Sequence, residues 1–116
     1  MHRLIFSILF TTLLLFPSEY SAQEAASHVG EEATVCGVVV SSHYAKSIKG
    51  EPTFLNLDAA YPEHIFTVLI WGDDREQFKK PEIRYKNQKI CVHGEISSYK
   101  GIPQIILYSK KQLDPQ

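Results

Sequence analysis

The sequence lacks the short motifs that identify many small enzymes. It contains no Ser-x-Gly nucleophile elbow, no glycine-rich loop suited to a phosphate, and no carboxylate pair in a catalytic setting. Its adjacent acidic pair, Asp73-Asp74, is better explained as the cap of a short helix. The histidines beyond the N-terminal region show no pairing at the spacing of helical ligands. We therefore predict that the protein is not an enzyme and uses no cofactor.

The sequence also lacks an excess of either charge, since its net charge is −1. This balance argues against indiscriminate high-affinity binding to phosphate backbones, which depends on many lysines and arginines. The charges are unevenly placed, however. Residues 23–74 contain two basic and eight acidic side chains, whereas residues 75–116 contain nine basic and four acidic ones. Such asymmetry is consistent with a basic face on a neutral protein, or simply with solvated loops and strand ends.

No apolar run is long enough to span a bilayer comfortably, which takes about 20 residues. The uncharged run at 4–16 follows a short cationic start and precedes small residues that end at Ala22. This order predicts a secretory signal at 1–22, although Tyr20 is an imperfect residue three places before the cut. A retained anchor or a core helix is the alternative. We expect one exported domain at 23–116, periplasmic or secreted, with no membrane span after cleavage.

Cysteine is scarce, and both copies, Cys36 and Cys91, remain after the predicted cleavage. An even pair in a small exported protein predicts one disulfide. A metal site of Cys36, Cys91 and His93 is the first alternative, because Cys91 and His93 share one side of a strand. Free thiols are the second alternative. We predict the disulfide and no metal.

Five segments have the alternating or β-branched composition of strands: 33–42, 52–57, 65–71, 89–97 and 103–109. Gly37 predicts a bulge or a close approach in the first strand. A short helix is expected at 24–28, ended by Gly30. A second should begin at Asp73 or Asp74 and run through Phe78, with Pro81 preventing its continuation.

Five strands with one helical segment between the third and the fourth predict an all-β, five-stranded Greek-key barrel of the OB-fold class. A small β-sandwich is the main alternative, but nothing in it requires a helix at that place. No repeat, low-complexity tract or linker indicates a second domain.

The segments TVCGVVVS, GEPTFLNLD, IFTVLIW, KICVHGEIS and GIPQIIL together resemble the OB-fold nucleic-acid-binding family. The most similar members are the anticodon-binding domains of class II tRNA synthetases and small exported proteins with the same module. The resemblance covers about residues 34–113. It implies that Phe54, in the F-L-x-L-D-like strand, stacks on a nucleobase. Where the family's next strand commonly has a base-contacting polar residue, this chain has Thr67 or Leu69.

Strand alternation extends this expectation to a surface. If Leu55 and Leu57 point into the core, Phe54 and Asn56 point out of it. The same argument places Phe66, Val68 and Ile70 inside, and Ile105 and Leu107 opposite Gln104, Ile106 and Tyr108. The predicted nucleic-acid-binding residues lie on this face and in its flanking loops: Phe54, Asn56, Thr67, Trp71, Tyr44, Lys46, Lys49, Tyr99 and Lys100.

Aromatic rings among lysines suit a single strand, because every base has a face that can stack. The sequence therefore predicts weak binding of single-stranded nucleic acid, environmental or presented by a nuclease partner. The alternative is an envelope protein-interaction or stress-related module that binds a protein or a small ligand on the same face. A ring beside apolar neighbours is also commonly part of a barrel's packing, so Phe54 and Trp71 could serve the fold alone.

Overall fold

The computed structural model describes residues 18–116. The apolar run of the predicted signal, at 4–16, lies outside the described residues. Within 18–116, no helix has the length and apolar character needed to cross a membrane.

Residues 18–116 contain eight strands and a few short helical segments, where the sequence predicted five strands. Three additional strands of three residues each account for the difference, because such short segments show no alternation. The predicted five correspond to β2, β3, β4, β5 and β7. The bounds are β1 Glu19–Ser21, β2 Glu32–Tyr44, β3 Thr53–Leu57, β4 Thr67–Ile70, β5 Lys89–Glu95, β6 Ser97–Tyr99, β7 Ile102–Leu107 and β8 Leu113–Pro115.

The strands follow the order β6-β7-β4-β3-β2-β5-β8, and β1 pairs with β2. The sheet is mixed, because β1 is parallel to β2 and β4 is parallel to β7. The long strand β2 pairs with β5 through its first half and with β3 through its second half, with a register shift between Val39 and Ser41. A Cβ atom at Gly94 would lie 3.1 Å from Ile105 Cγ2, so β5 and β7 approach closely.

The core contains the residues that alternation placed inside. All of the predicted inward residues of β3, β4 and β7 are fully buried: Leu55, Leu57, Phe66 (which precedes β4), Val68, Ile70, Ile105 and Leu107. Val35, Val39, Ile90 and Val92 complete the core from β2 and β5. Alternation therefore identified the inward residues of β3, β4 and β7 correctly.

Two short helices follow β4 and close one end of the core. They are α1 (Gly72–Arg75) and α2 (Pro81–Arg84), separated by a 3-10 turn at Glu76–Phe78. The predicted Asp73 or Asp74 cap is wrong, since Trp71 occupies the N-cap without a side-chain hydrogen bond. Pro81 begins α2 at the first helical position, where its fixed φ is favourable. The buried side chains of Phe78 and Tyr85 attach this segment to the core.

The helix predicted at 24–28 is a 3-10 turn at Glu24–Ser27, followed by Gly30 with a φ of +97°. The predicted cleavage point after Ala22 falls between β1 and this turn. In the uncut chain Ala22 is fully buried and the N–H of Thr34 donates to the carbonyl of Ser18. Another 3-10 turn, Lys110–Gln112, connects β7 to β8 and is capped by Ser109.

Gly37 is a point of close approach, as expected. A Cβ atom there would lie 2.9 Å from Oδ2 of Asp58, whose Oδ1 accepts a 2.8 Å hydrogen bond from the N–H of Val38. The bulge itself is displaced toward Val40, between Val39 and Ser41. Asp58 thus links the end of the FLNLD segment to the middle of β2.

A candidate binding face on the β2-β3-β4-β7 sheet

The face that points away from the core is organised in rows by the strand register. One row contains His43, Phe54, Leu69 and Ile106, and we call it the apolar row. The neighbouring row contains Ser41, Asn56, Thr67 and Gln104, and we call it the polar row. The two rows together are the open face.

The apolar row provides a partly accessible aromatic ring beside aliphatic neighbours. Phe54 lies directly opposite Leu69, which is only 5% exposed. On its other side it faces His43, which is exposed. Phe54 and Ile106 are both partly buried. A planar ligand could therefore reach the Phe54 ring from solvent.

The polar row differs from the expectation of an open polar surface. Asn56 and Thr67 are only 5% and 7% exposed. The Asn56 amide donates to Ser41 Oγ at 2.9 Å and accepts from Thr67 Oγ1 at 2.9 Å. The N–H of Tyr61 also donates to Ser41 Oγ at 3.1 Å, which brings the β3–β4 loop close to this row. Asn56 and Thr67 therefore hold three strands in register and offer little surface to a ligand.

Gln104 and Ser41 are the members of the polar row that remain partly accessible, and Ser41 already has two hydrogen-bond partners. The only side-chain hydrogen bond of Gln104 among the described residues is a long one, 3.4 Å from Nε2 to Ser97 Oγ. An amide with unused donors and acceptors can read the edge of a base. Sequence alternation placed Gln104 on this face but did not single it out.

Exposed aromatic rings surround the open face. Trp71, Tyr99, Tyr108 and Tyr61 are 37%, 63%, 60% and 73% exposed. Trp71 packs one side of its indole on the β2–β3 loop, since a Cβ atom at Gly50 would lie 2.9 Å from Trp71 Cε3. Tyr61, whose ring stacks on His64, was not expected from the sequence, because it lies in the β3–β4 loop, where strand alternation assigns no face.

The predicted flanking residues lie at two ends of the face. Tyr99 pairs with Ile102 at the start of β7, and Lys100 Nζ lies 5.4 Å from the Tyr99 ring centroid. Trp71 and Tyr108 lie at the far end, where β4 and β7 finish. Six residues of extended chain separate the two ends, about 20 Å at the usual rise per residue. Lys46 and Lys49 are exposed in the β2–β3 loop that contacts Trp71.

Tyr44 is the predicted site residue that the structure places elsewhere. It alternates with His43 and turns toward α1, where Arg75 Cζ lies 3.7 Å from its ring centroid. Lys46 Nζ lies 5.6 Å from the same centroid. We use the name Tyr44 pocket for a depression of about 500 Å³ lined by Tyr44, Gly72, Arg75, Glu76, Lys79 and Lys80.

The part of the sheet where β2 pairs with β5 contains the confirmed Cys36–Cys91 disulfide, which joins facing residues of the two strands. Both sulfurs are therefore unavailable as thiolate ligands, although Glu19 Oε1 lies 3.0 Å from Cys36 Sγ. His93 is occupied as well: Nδ1 lies 2.6 Å from Thr34 Oγ1 and Nε2 lies 2.7 Å from Asp114 Oδ2. This geometry favours the disulfide over the alternative metal site.

Three side chains in and next to β1, Tyr20, Glu24 and Glu31, have pKa values that are shifted from their ordinary values. The Tyr20 ring stacks on His28 with centroids 3.7 Å apart, and its hydroxyl donates to Glu31 Oε1 at 2.8 Å. That bond lowers the pKa of Glu31, with a further contribution from His28. The same bond raises the pKa of Tyr20. Hydrogen bonds from Ser21 lower the pKa of Glu24.

Comparison with known proteins shows similarity in fold. A region of a chain described as an aspartyl-tRNA synthetase from Leishmania major Friedlin superposes with a TM-score of 0.59 at 9% identity, over 98% of this chain. The fold is OB-like. The match spans 22% of the synthetase chain. The hypothetical protein ygiW from E. coli superposes with a TM-score of 0.47 at 14% identity, over 85% of this chain and 90% of that one. No family model and no curated protein matches the sequence.

Proposed function

We propose that the protein is an exported module that binds single-stranded nucleic acid weakly on the open face. The observation that supports this most strongly is Phe54. Its ring is partly accessible and lies between His43 and Leu69 in the apolar row. OB-folds bind oligonucleotides and oligosaccharides on this part of the sheet and between the loops beside it.

Stacking on this face would supply most of the affinity. One base on Phe54 and another on Trp71 or Tyr108 would each contribute about 1–3 kcal/mol. The two stacks together would contribute about 2–6 kcal/mol. With a few lysine contacts we expect a Kd in the micromolar range, where 1 μM corresponds to about 8 kcal/mol. The two rows present an imidazole, a phenyl ring, aliphatic groups, amides and hydroxyls, which we interpret as a surface for recognition rather than catalysis.

The charges near the face limit the electrostatic part of the affinity. Lys46, Lys49 and Lys100 are exposed in the flanking loops, and the protein as a whole has a net charge of −1. About three phosphate contacts to a single strand would give a slope of about −2 for log K against log salt. The disulfide is compatible with an exported protein, because disulfides persist in oxidising compartments.

Quenching of Trp71 fluorescence by oligo-dT, measured at several salt concentrations, tests the proposal. The sequence has one tryptophan, so the signal reports on ligands bound near Trp71, at the end of the open face where β4 finishes. We expect quenching with a Kd in the micromolar range and the shallow salt slope given above. Phe54→Ala should weaken binding. Val29→Ala is the matched control, because Val29 is an apolar residue that is 50% exposed in the loop before β2, outside the open face. Absence of both quenching and salt dependence would contradict nucleic-acid binding.

A second candidate is supported by the same exposed rings. Tyr61, Tyr99 and Tyr108 are each at least 60% exposed, and large exposed aromatics are typical of protein interfaces. An envelope protein, or a small ligand, could occupy the open face in place of a nucleic acid. This candidate would be favoured by a protein or small ligand whose binding requires Phe54, does not change with salt concentration, and is not displaced by oligo-dT.

A further inference from the structure

The Tyr44 pocket lies beside the open face and is built differently from it. Three of its six lining residues, Arg75, Lys79 and Lys80, are cations, and one, Glu76, is an anion. The cations come from α1 and from the turn between α1 and α2. This local excess contrasts with the acidic composition of residues 23–74.

Arg75 is fixed at the wall of the pocket. Its guanidinium lies on the Tyr44 ring and donates from Nη2 to Glu82 Oε1 at 2.5 Å. The side chains of Arg75 and Glu82 are only 19% and 17% exposed. Because Glu82 balances its charge, Arg75 shapes the pocket and adds little net potential to it.

Lys79 and Lys80 are in a different situation, since neither takes part in any of the ion pairs formed within residues 18–116. Both are exposed, and both have left-handed backbones, with φ of +51° and +55°. Two consecutive residues with side chains in this region are uncommon, and each costs about 1–3 kcal/mol. Glycine or asparagine is the usual residue where a helical turn ends in this way. The backbone therefore does not explain why both residues are lysine.

We propose that the Tyr44 pocket binds a phosphate-class anion, with Lys79 and Lys80 supplying the charge and the Arg75–Tyr44 pair forming the wall. Glu76 opposes such a ligand and limits the affinity. The anion could be a free phosphate compound or a backbone phosphate of a strand on the open face. The inference goes beyond the proposed function, because a free anion would bind without any nucleic acid.

Titration of the ¹⁵N-labelled protein with pyrophosphate tests the pocket directly. We expect saturable shifts of the Gly72, Lys79 and Lys80 amides. Lys79→Gly/Lys80→Gly should weaken pyrophosphate at least 10-fold and leave the melting temperature unchanged or higher, because glycine adopts left-handed φ values without strain. A purely structural role for the lysines would not produce these opposite changes. Lys86→Ala/Lys89→Ala removes the same charge outside the pocket lining and should leave pyrophosphate binding unchanged.

Glu76→Gln gives the complementary result. Removing the carboxylate that faces the anion should tighten pyrophosphate binding several-fold. The proposal is overturned if pyrophosphate gives no saturable shifts, or if the glycine double variant and the Lys86/Lys89 control weaken it equally. It is also overturned if Glu76→Gln weakens binding.

Oligo-dT separates the two sources of the anion. If the pocket holds a backbone phosphate, the glycine double variant weakens both oligo-dT and pyrophosphate. If it holds a free anion, that variant weakens pyrophosphate alone. Phe54→Ala, which acts on the open face, should leave pyrophosphate unchanged in either case. Failure of oligo-dT to bind at all would contradict the proposed function and leave the pyrophosphate result intact.

Discussion

The two halves of β2 contribute to two very different surfaces. The first half pairs with β5 and contains Cys36, and we call the surface around the disulfide the disulfide side. The second half pairs with β3 and borders the open face. On the disulfide side, both sulfurs and both nitrogens of His93 have partners. On the open face, aromatic rings and the Gln104 amide remain partly or largely accessible.

This difference separates groups that stabilise the fold from groups that are free to bind. A polar or sulfur group that has all its partners contributes to stability and has little left for a ligand. The open face contains both kinds, because Asn56 and Thr67 are buried in hydrogen bonds while Phe54 remains accessible. Substitutions should therefore change stability on the disulfide side and in the polar row, and binding in the apolar row.

The largest effect should come from the disulfide. Cys36→Ser/Cys91→Ser opens a loop whose ends are 55 residues apart. On the chain-entropy account, this should lower the free energy of unfolding by about 4 kcal/mol. Urea unfolding followed by circular dichroism measures the change. At urea concentrations below the new transition, the affinity for oligo-dT should stay close to that of the wild type. A decrease of less than 1 kcal/mol in the free energy of unfolding would contradict the stabilising role of the disulfide.

Asn56→Leu should have the next largest effect, and on stability. The change leaves the buried Thr67 hydroxyl without its acceptor, and it removes one of the two donors to the partly accessible Ser41 hydroxyl. Unpaired buried polar groups cost about 1–3 kcal/mol each, so we expect a loss of about 2 kcal/mol in urea unfolding. Gln104→Leu is the matched control, because its long bond to Ser97 should contribute much less. Equal losses for both variants would contradict the separation within the polar row.

Phe54→Ala should reverse this balance. Loss of one stacked base should weaken oligo-dT binding by about 1–3 kcal/mol, or roughly 5- to 160-fold. Since Phe54 is only partly buried, stability should fall less than for a core phenylalanine, which costs about 3–5 kcal/mol. Phe54→Tyr should retain most of the affinity. A variant with unchanged affinity and a core-sized loss of stability would show that Phe54 serves the fold alone.

The smallest effect concerns the cluster beside β1, in a chain that retains Tyr20. The folded state lowers the pKa of Glu31, mainly because the Tyr20 hydroxyl donates to it. Glu31 therefore adds stability that is present above the pKa it has in the unfolded chain and is lost as the pH falls through its lower folded pKa. Tyr20→Phe should lower the melting temperature slightly at pH 7 and hardly at all below pH 3. A difference that grows on acidification would contradict this assignment.

The sequence allowed correct prediction of five strands, the inward residues of the sheet and the Cys36–Cys91 bridge. These follow from side-chain alternation and from a single available cysteine pair. The strands β1, β6 and β8 could not be predicted, because three-residue strands depend on neighbours brought together by the fold. The start of α1 at Gly72, directly after the N-cap residue Trp71, likewise depends on tertiary packing of Trp71 against Gly50.

The candidate site was predictable only in part, for a similar reason. Alternation correctly placed Phe54, Asn56 and Thr67 on one face. It could not show that Asn56 and Thr67 bond to each other and are buried, since this depends on their exact register. The Tyr44 pocket was not predicted, because Arg75, Lys79 and Lys80 are separated from Tyr44 by two strands in the sequence.

Chemical-shift mapping with oligo-dT tests the central claim most directly, because it observes both surfaces in one experiment. We expect the largest amide shifts at Phe54, Leu69 and Ile106, and none at Cys91 or His93 on the disulfide side. Saturation at micromolar protein and ligand, with those shifts lost in Phe54→Ala, would support the open face as the binding site. Shifts confined to the disulfide side, or no shifts at millimolar oligo-dT, would contradict it.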